Sequence, residues 1–306
     1  MTPEDVVRLR FPAGASLVKS VPLQAGRGNL GITVHTVRCR DGAEQRFVEK
    51  KTRKTREVEI ARKLAQEPGG VVDLFPVIFG VTDGADCHRL YLEHLPGTGR
   101  LPASESYAVR SISDAIVRLH RLPLDQYVDG DPSDWAVEAE QRSQALFAAA
   151  LEGWPGADAP ALAEEIAAMD RIYYDLPVVL SHNDLFLSNI SSGVRRKGPV
   201  RFIDLGLMGP SVMGADLFGF ARKSLRSERI RSLFHRLCAA YGQAMNCSPD
   251  QVEFVSFHQA LRKSARKLQQ HQKKGNGCGL QDERTAFEAL LTRARDAYKR
   301  LPAGGG

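Results

Sequence analysis

At Pro96-Gly97 the chain changes period. Before this break the apolar residues alternate in short β-branched runs; after it they recur at helical spacing over long stretches. Strands that come first and helices that follow cannot interleave as βαβ units, so the pattern predicts an α+β chain with a small antiparallel sheet. Ser20–Gln24, Thr33–Cys39 and Gln45–Lys50 are predicted as the first strands, with Asp41-Gly42 as the hairpin turn between the last two. Val77–Val81 and Arg89–Glu93 read as two more. The one helix in this part is Thr55–Ala65, where Glu57, Ile60, Ala61 and Leu64 share a face, so one acid lies among apolar residues.

Beyond the break, Ser104–Leu122 reads as a helix capped by Ser104, with Ile112, Ala115, Ile116 and Leu119 as its apolar stripe. Helices are predicted over 133–151 and 158–174, then β-like segments at Val178–Leu180 and Val200–Ile203. The last third predicts helices over 226–244, 249–274 and 281–300, with a Gly-rich connector at 275–279. The expected organisation is a β-rich lobe over 1–95 and a larger helical lobe over 96–306, the latter carrying a helical insert at about 124–177.

Composition narrows the setting. No stretch approaches eighteen consecutive apolar residues, and Met1–Leu9 carries Glu4, Asp5 and Arg8 where a signal peptide needs an apolar core. Five scattered cysteines, never in a CxxC pair, suggest neither a disulfide framework nor a zinc site. A cytoplasmic protein without a transmembrane segment is expected. The net charge of +6 hides a split: residues 129–175 hold eleven acids against Arg142 and Arg171, while residues 205–306 hold seventeen Lys and Arg against eight acids. Aromatic residues are sparse among the basic ones, which disfavours a single-strand nucleic-acid partner. The basic run Arg262, Lys263, Arg266, Lys267, Lys273, Lys274 reads first as a solvated helix face.

The densest chemistry lies in Ser181-His182-Asn183-Asp184-Leu185-Phe186-Leu187-Ser188-Asn189, followed by Arg201-Phe202-Ile203-Asp204-Leu205-Gly206. An H-x-D-x4-N match arises by chance in about one chain in a hundred of this composition. It reads either as an Asx-rich turn between strands or as a divalent-metal and phosphate site. In the second reading Asn189 and Asp204 hold Mg²⁺, which prefers hard oxygens shared with phosphates, and Asp184 is left as the base.

The segments HNDLFLSN and FIDLG resemble the catalytic segment of the aminoglycoside phosphotransferase and choline kinase family, relatives of protein kinases with the same two-lobed fold. The likeness extends to Gly214-Ala215-Asp216-Leu217, to Tyr91–Gly97 as the hinge between lobes, and to Leu119-His120 as the end of a large-lobe helix. The resemblance implies a two-lobed protein-kinase-like α+β fold, ATP and Mg²⁺ as cofactors, and Asp184 as the residue that orients and deprotonates an acceptor hydroxyl. Asn189 and Asp204 would hold the metal, with His182 and Asp216 as scaffolding for the loop. The adenine would meet backbone groups of Glu93 and Leu95.

Gly26-x-Gly28-x-x-Gly31 lies between two predicted strands; it is either a Gly-rich hairpin turn or, in a kinase-like lobe, a cover for the phosphates. Strand alternation puts Val48 and Lys50 on one face; the resemblance implies Lys50 for the phosphates and Val48 under the adenine. The helix partner of Lys50 is Glu57 or Glu59; Glu57 is preferred because it shares the apolar face.

Protein kinases usually carry a lysine two residues after the base, where this chain has Phe186, and a long activation segment, which this chain lacks. Both differences favour a small-molecule hydroxyl acceptor. The acidic insert suits an amino sugar or amino alcohol, and the basic last third suits an anion. A kinase acting on a small molecule is the expected function; a regulatory nucleotide-binding pseudokinase and a protein kinase are the alternatives. The oligomeric state has no signature in the sequence.

Overall fold

The computed structural model describes residues 1–23, 30–66, 73–102, 104–152, 154, 159–193, 198–275 and 277–302, the side chains of 277 and 278 excepted. In chain order the elements are α1 (Pro3–Arg10), β1 (Ser16–Leu23), β2 (Gly31–Arg38), β3 (Glu44–Thr52), α2 (Thr55–Gln66), β4 (Ile78–Thr82), β5 (His88–Glu93), α3 (Glu105–His120), α4 (Leu124–Tyr127), α5 (Pro132–Leu151), α6 (Ala159–Tyr174), β6 (Val178–Ser181), β7 (Ile190–Ser191), β8 (Arg201–Phe202), β9 (Gly209–Val212), α7 (Phe218–Ser224), α8 (Glu228–Met245), α9 (Pro249–Lys274) and α10 (Gly277–Lys299).

The chain divides into two units, Met1–Ala103 with Ser188–Met208, and Ser104–Leu187 with Gly209–Gly306. The sequence pattern places a contiguous boundary at 95 and 96, whereas the first unit takes in a segment from far downstream. Hydrogen bonds explain that membership: Gly99 N–H donates to Ile190 O at 3.1 Å, and Ser191 Oγ donates to Pro96 O at 2.7 Å.

In the first unit a five-stranded antiparallel sheet has the order β1-β2-β3-β5-β4. Ile32, Lys50 and Leu90 lie abreast on the three central strands. The helix α1 was not foreseen, because its capping box uses Thr2 and Asp5: the Thr2 hydroxyl accepts from Asp5 N–H at 3.2 Å and Asp5 accepts from Thr2 N–H at 2.8 Å. Its Val6 and Val7 close one side of a core with Val37, Phe47 and Tyr91. The Tyr91 hydroxyl donates to Met1 O at 2.9 Å, satisfying the one polar atom that this ring would otherwise bury. On α2 the expected face is the buried one, with Glu57, Ile60, Ala61 and Leu64. The short β7–β8 hairpin is fixed by Phe202 N–H to Leu74 O at 2.7 Å.

The second unit is mainly helical. The predicted stripe of α3 is buried, and the insert consists of α4, α5 and α6. The predicted strand at 178–180 is β6, and its partner is β9. The expected helix over 226–244 is α8, preceded by the separate short α7. The Gly-rich connector expected at 275–279 is shorter: α9 is capped by Gly275, in the left-handed conformation at φ +62°, and α10 begins at Gly277. Glycine at that position ends a helix without a Cβ clash. The 26-residue α9 is buried along much of its length and packs against α5, α7, α8 and α10. Among the described residues no helix is long and apolar enough to cross a membrane.

Candidate active site

In the first unit the chemistry starts on β3. Strand alternation turns Glu49 to one face, where it meets His35 at 3.2 Å and Arg89 at 3.2 Å, and Lys50 to the other. There Lys50 Nζ donates to Glu57 on α2 at 2.5 Å and to Asp204 at 2.7 Å. Both Lys50 and Glu57 are buried, whereas Glu59 is exposed, so the helix partner of Lys50 in the structure is Glu57. The pairing closes within seven positions because α2 begins at Thr55, three residues after the end of β3. Burial alone would push the Lys50 pKa down; the carboxylates of Glu57 and Asp204 outweigh it and hold the value above the usual lysine range. The ammonium is therefore a fixed positive charge. Val48 shares its face, abreast of Val34 and Leu92. Behind the ion pair a small cleft is lined by Ala61, Ile78, Leu90, Leu92 and Leu205.

Asp204 has φ +65° and ψ +68°, a left-handed conformation uncommon for a residue with a Cβ. Asn189 ends the 3₁₀ turn Leu187–Asn189, and its carbonyl accepts from Ile203 N–H at 3.0 Å, so the β7–β8 hairpin ties the Asn189 and Asp204 segments together. One carboxylate and one carboxamide, both half-buried, make a two-oxygen donor set. Such a set fits Mg²⁺, which takes one or two protein oxygens and fills its octahedron with water and phosphate oxygens. Among the described residues no group of three or more His, Cys, Asp and Glu side chains could hold a metal by itself.

At the end of β5, Glu93 is tied down by a bidentate Arg201, at 2.9 and 2.6 Å, and its N–H donates to Val77 O at 2.8 Å. Any nucleotide contact made by the Glu93 backbone therefore falls to its carbonyl. Leu95 is buried. Gly31 opens β2 abreast of Lys51; Gly26 and Gly28 lie outside the described residues.

In the second unit Asp184 is carried by a loop braced at His182 and Asn183. Asn183 has φ +61°. Its N–H donates to Asp216 Oδ1 at 2.9 Å, and its side-chain NH₂ lies 3.2 and 3.3 Å from the carbonyls of Gly209 and Pro210 on β9. The N–H of His182 donates to Asp216 Oδ2 at 2.8 Å, and His120 at the end of α3 reaches the same oxygen at 3.1 Å. The other ring nitrogen of His120 is 2.6 Å from the Tyr241 hydroxyl. Burial would raise the Asp216 pKa, but His120 and the loop N–H groups outweigh it and hold the carboxyl below its ordinary value. Asp216 is thus an anionic post under the loop.

The sequence reading gave no role to Tyr241, Lys263 or Arg201, all of which touch these segments from far along the chain. It also misplaced part of the basic run on α9. Arg262 is half-buried rather than on a free face: it lies over the rings of Tyr173 and Tyr174 at 5.5 and 5.2 Å, and Lys263 Nζ donates to Asn183 O at 2.6 Å. Arg266, Lys267, Lys273 and Lys274 do face solvent in part or in full.

Among solved structures the chain is similar to the GDP complex of aminoglycoside 2'-phosphotransferase-IIIa, at 11% identity over 94% of this chain and 97% of that one, with a TM-score of 0.60. It is similar to a macrolide 2'-phosphotransferase from Brachybacterium faecium, at 17% identity over 90% and 94% of the two chains, with a TM-score of 0.59. A third likeness is to an ethanolamine kinase from Plasmodium vivax, at 12% identity over 91% and 81%, with a TM-score of 0.53. At such identities the shared property is the kinase-like fold. No curated protein matches the sequence. The profile of the phosphotransferase enzyme family matches residues 28–254, well over half of the sequence, including Lys50, Glu57, Asp184, Asn189, Asp204 and Asp216, so the chain belongs to that family.

Proposed function

We propose that the chain is a kinase that moves the γ-phosphoryl group of a nucleoside triphosphate, ATP in the first instance, to a hydroxyl of a small molecule in the cytoplasm. The observation that carries this reading is the buried Lys50 bonded to both Glu57 and Asp204. A fixed cation between a helix carboxylate and a partly open carboxylate suits triphosphate binding, because phosphoryl transfer needs positioning and charge neutralisation more than covalent help. The first unit is read as the nucleotide-binding part, with Val48 and the backbone of Glu93 and Leu95 against the base and Lys50 on the phosphates. Asn189 and Asp204 would hold Mg²⁺, which supplies charge neutralisation when bound. Gly31, with Gly26 and Gly28, belongs to the phosphate cover in this reading.

Asp184 takes the proton of the acceptor hydroxyl as its oxygen forms the bond to Pγ; the bond from Pγ to the β–γ bridging oxygen breaks, and the nucleoside diphosphate leaves with that oxygen. The acceptor class is read from the neighbours, which are named for aminoglycosides, macrolides and ethanolamine. The GDP in one neighbour makes GTP the second donor to try. The test is diphosphate production from ATP and GTP with aminoglycosides, amino alcohols, macrolides and sugars. Acceptor-dependent turnover that disappears in folded Asp184→Asn and Asp204→Asn proteins is expected. Equal turnover in those variants overturns the assignment, and labelling of a protein instead of a small molecule would make the chain a protein kinase.

A further inference from the structure

The bracing of the Asp184 loop includes one group that comes from a helix eighty positions downstream. Lys263 on α9 donates from Nζ to Asn183 O at 2.6 Å. That carbonyl belongs to the peptide unit joining Asn183 to Asp184, and the rotation of this unit sets the direction in which the Asp184 side chain leaves the backbone. Asn183 is engaged at two further groups, its N–H on Asp216 and its side-chain NH₂ on β9. Lys263 takes the backbone carbonyl.

A lysine is a costly choice for this position. Its ammonium lies 5.1 Å from the centre of the Phe218 ring, and Phe186 packs edge-on to the same ring at 5.0 Å. The ammonium is therefore held against aromatic carbon, where a methionine end would pack without desolvating a charge. The charged groups facing the ammonium are Asp184 on the loop, Asp216 on the turn before α7, and Arg262 and Arg266 on its own helix. Burial is the strongest influence and lowers the Lys263 pKa; the two aspartates oppose it, the two arginines reinforce it, and the value is pushed down to about 8.

We propose that Lys263 is a positioning residue of the transfer reaction, clamping the Asn183–Asp184 peptide so that the Asp184 carboxylate is held towards the acceptor hydroxyl. This deepens the proposed function and rests on Asp184 being the base. The clamp is strongest while the ammonium is charged, so it weakens as pH rises through about 8. Arginine keeps its charge throughout that range.

Three proteins, the parent, Lys263→Met and Lys263→Arg, test this by two readouts. In deuterium exchange, peptides covering residues 182–187 should exchange about ten-fold faster in Lys263→Met than in the parent, with no change in the sheet of the first unit. In steady-state kinetics at pH 7, Lys263→Met should lose about 10- to 100-fold in kcat with the nucleotide KM within about two-fold, because the nucleotide contacts are made elsewhere. The parent kcat should fall on the alkaline side with a midpoint near 8, and Lys263→Arg, which also serves if the methionine variant does not fold, should move that limb upward. Parent-like exchange in Lys263→Met overturns the clamp, as does a kcat within two-fold of the parent with an unchanged alkaline limb. If no acceptor is phosphorylated by the parent, the proposed function fails and the exchange experiment alone decides the clamp. If the parent is active, Asp184→Asn is dead and Lys263→Met is parent-like, only the clamp fails.

Discussion

Two buried carboxylates show how single residues carry this molecule. Glu57 is buried to within 2% of full exclusion and faces an ammonium, so its charge is neutralised in place; Glu57→Gln keeps the volume and removes that neutralisation. Lys50 then retains Asp204 as its one anionic partner among the described residues, and in the proposed reaction the triphosphate would meet an ammonium that α2 no longer anchors. The expected outcome is a fall of about 10- to 100-fold in kcat/KM for the nucleotide and a loss of about 1–3 kcal/mol of stability, read by kinetics and by urea unfolding. Asp216 differs because its partners are mostly backbone N–H groups and a histidine. A carboxyl held below its ordinary pKa in the folded state contributes stability above the unfolded value of about 4, and that contribution is lost as pH falls through the folded value. Asp216→Asn presents an NH₂ to N–H donors and should cost about 2–4 kcal/mol at pH 7. Its cost should shrink as pH falls below about 4, where the parent surrenders the same interaction; unfolding midpoints measured from pH 7 downward check the sign.

At the scale of elements, the close approach of α7 to the Asp184 loop depends on a missing methyl group. A Cβ on Gly219 would sit 2.5 Å from Leu185 O, a backbone atom that can retreat only by moving the loop. On Gly206, beside Asp204, a Cβ would meet the ammonium end of Lys54 at 2.8 Å, and a lysine end swings away at little cost. Gly219→Ala should therefore lose about 1–3 kcal/mol and most of its activity, while Gly206→Ala should stay within about 1 kcal/mol of the parent in thermal unfolding. The same contrast between near and far explains what was legible in the sequence. The face of α2 that carries Glu57 and the alternation that aims Lys50 are short-range patterns that a period of 3.6 or 2 reveals, whereas Asp184, Asn189 and Asp204 stand out by motif spacing and by family resemblance. The contact of His120 with Asp216 spans 96 positions and that of Lys263 with Asn183 spans 80. No local period encodes which member of a basic run meets a loop, and α9 presented six basic candidates that only packing could separate. The helix α1 was missed for a different reason: Thr2 and Asp5 form its capping box without the usual glutamate.

For the molecule as a whole, the split between an acidic insert and a basic last third is an internal complementarity of the second unit. Arg295 on α10 grips Glu165 on α6 at 2.6 and 2.5 Å. Arg262 on α9 donates to Ser143 on α5 at 3.1 Å and to Gln259 at 2.9 Å. Ser143 in turn donates to Asp170 on α6, at 3.0 Å, and Asp170 meets His258 of α9 at 2.7 Å. These two links between oppositely charged segments differ in energy because they differ in exposure. Both side chains of the Arg295–Glu165 pair are more than a third exposed, where water screens the attraction to about 0–1 kcal/mol. Asp170 and His258 are fully buried, so losing a member of the Arg262 network strands polar atoms away from water. Arg262→Met preserves the stem and removes the guanidinium; it should cost about 2–4 kcal/mol, against less than about 1 kcal/mol for Glu165→Gln. The difference should be local as well as large. Deuterium exchange should rise in α5 and α6 of Arg262→Met while the five-stranded sheet keeps its protection, because the network fastens the insert to α9 through Ser143, Asp170, His258 and Gln259, all in the second unit. Equal costs for the two variants, or exchange that rises evenly through the chain, would mean that the charge split is a property of the surface and that apolar packing alone holds the insert in place.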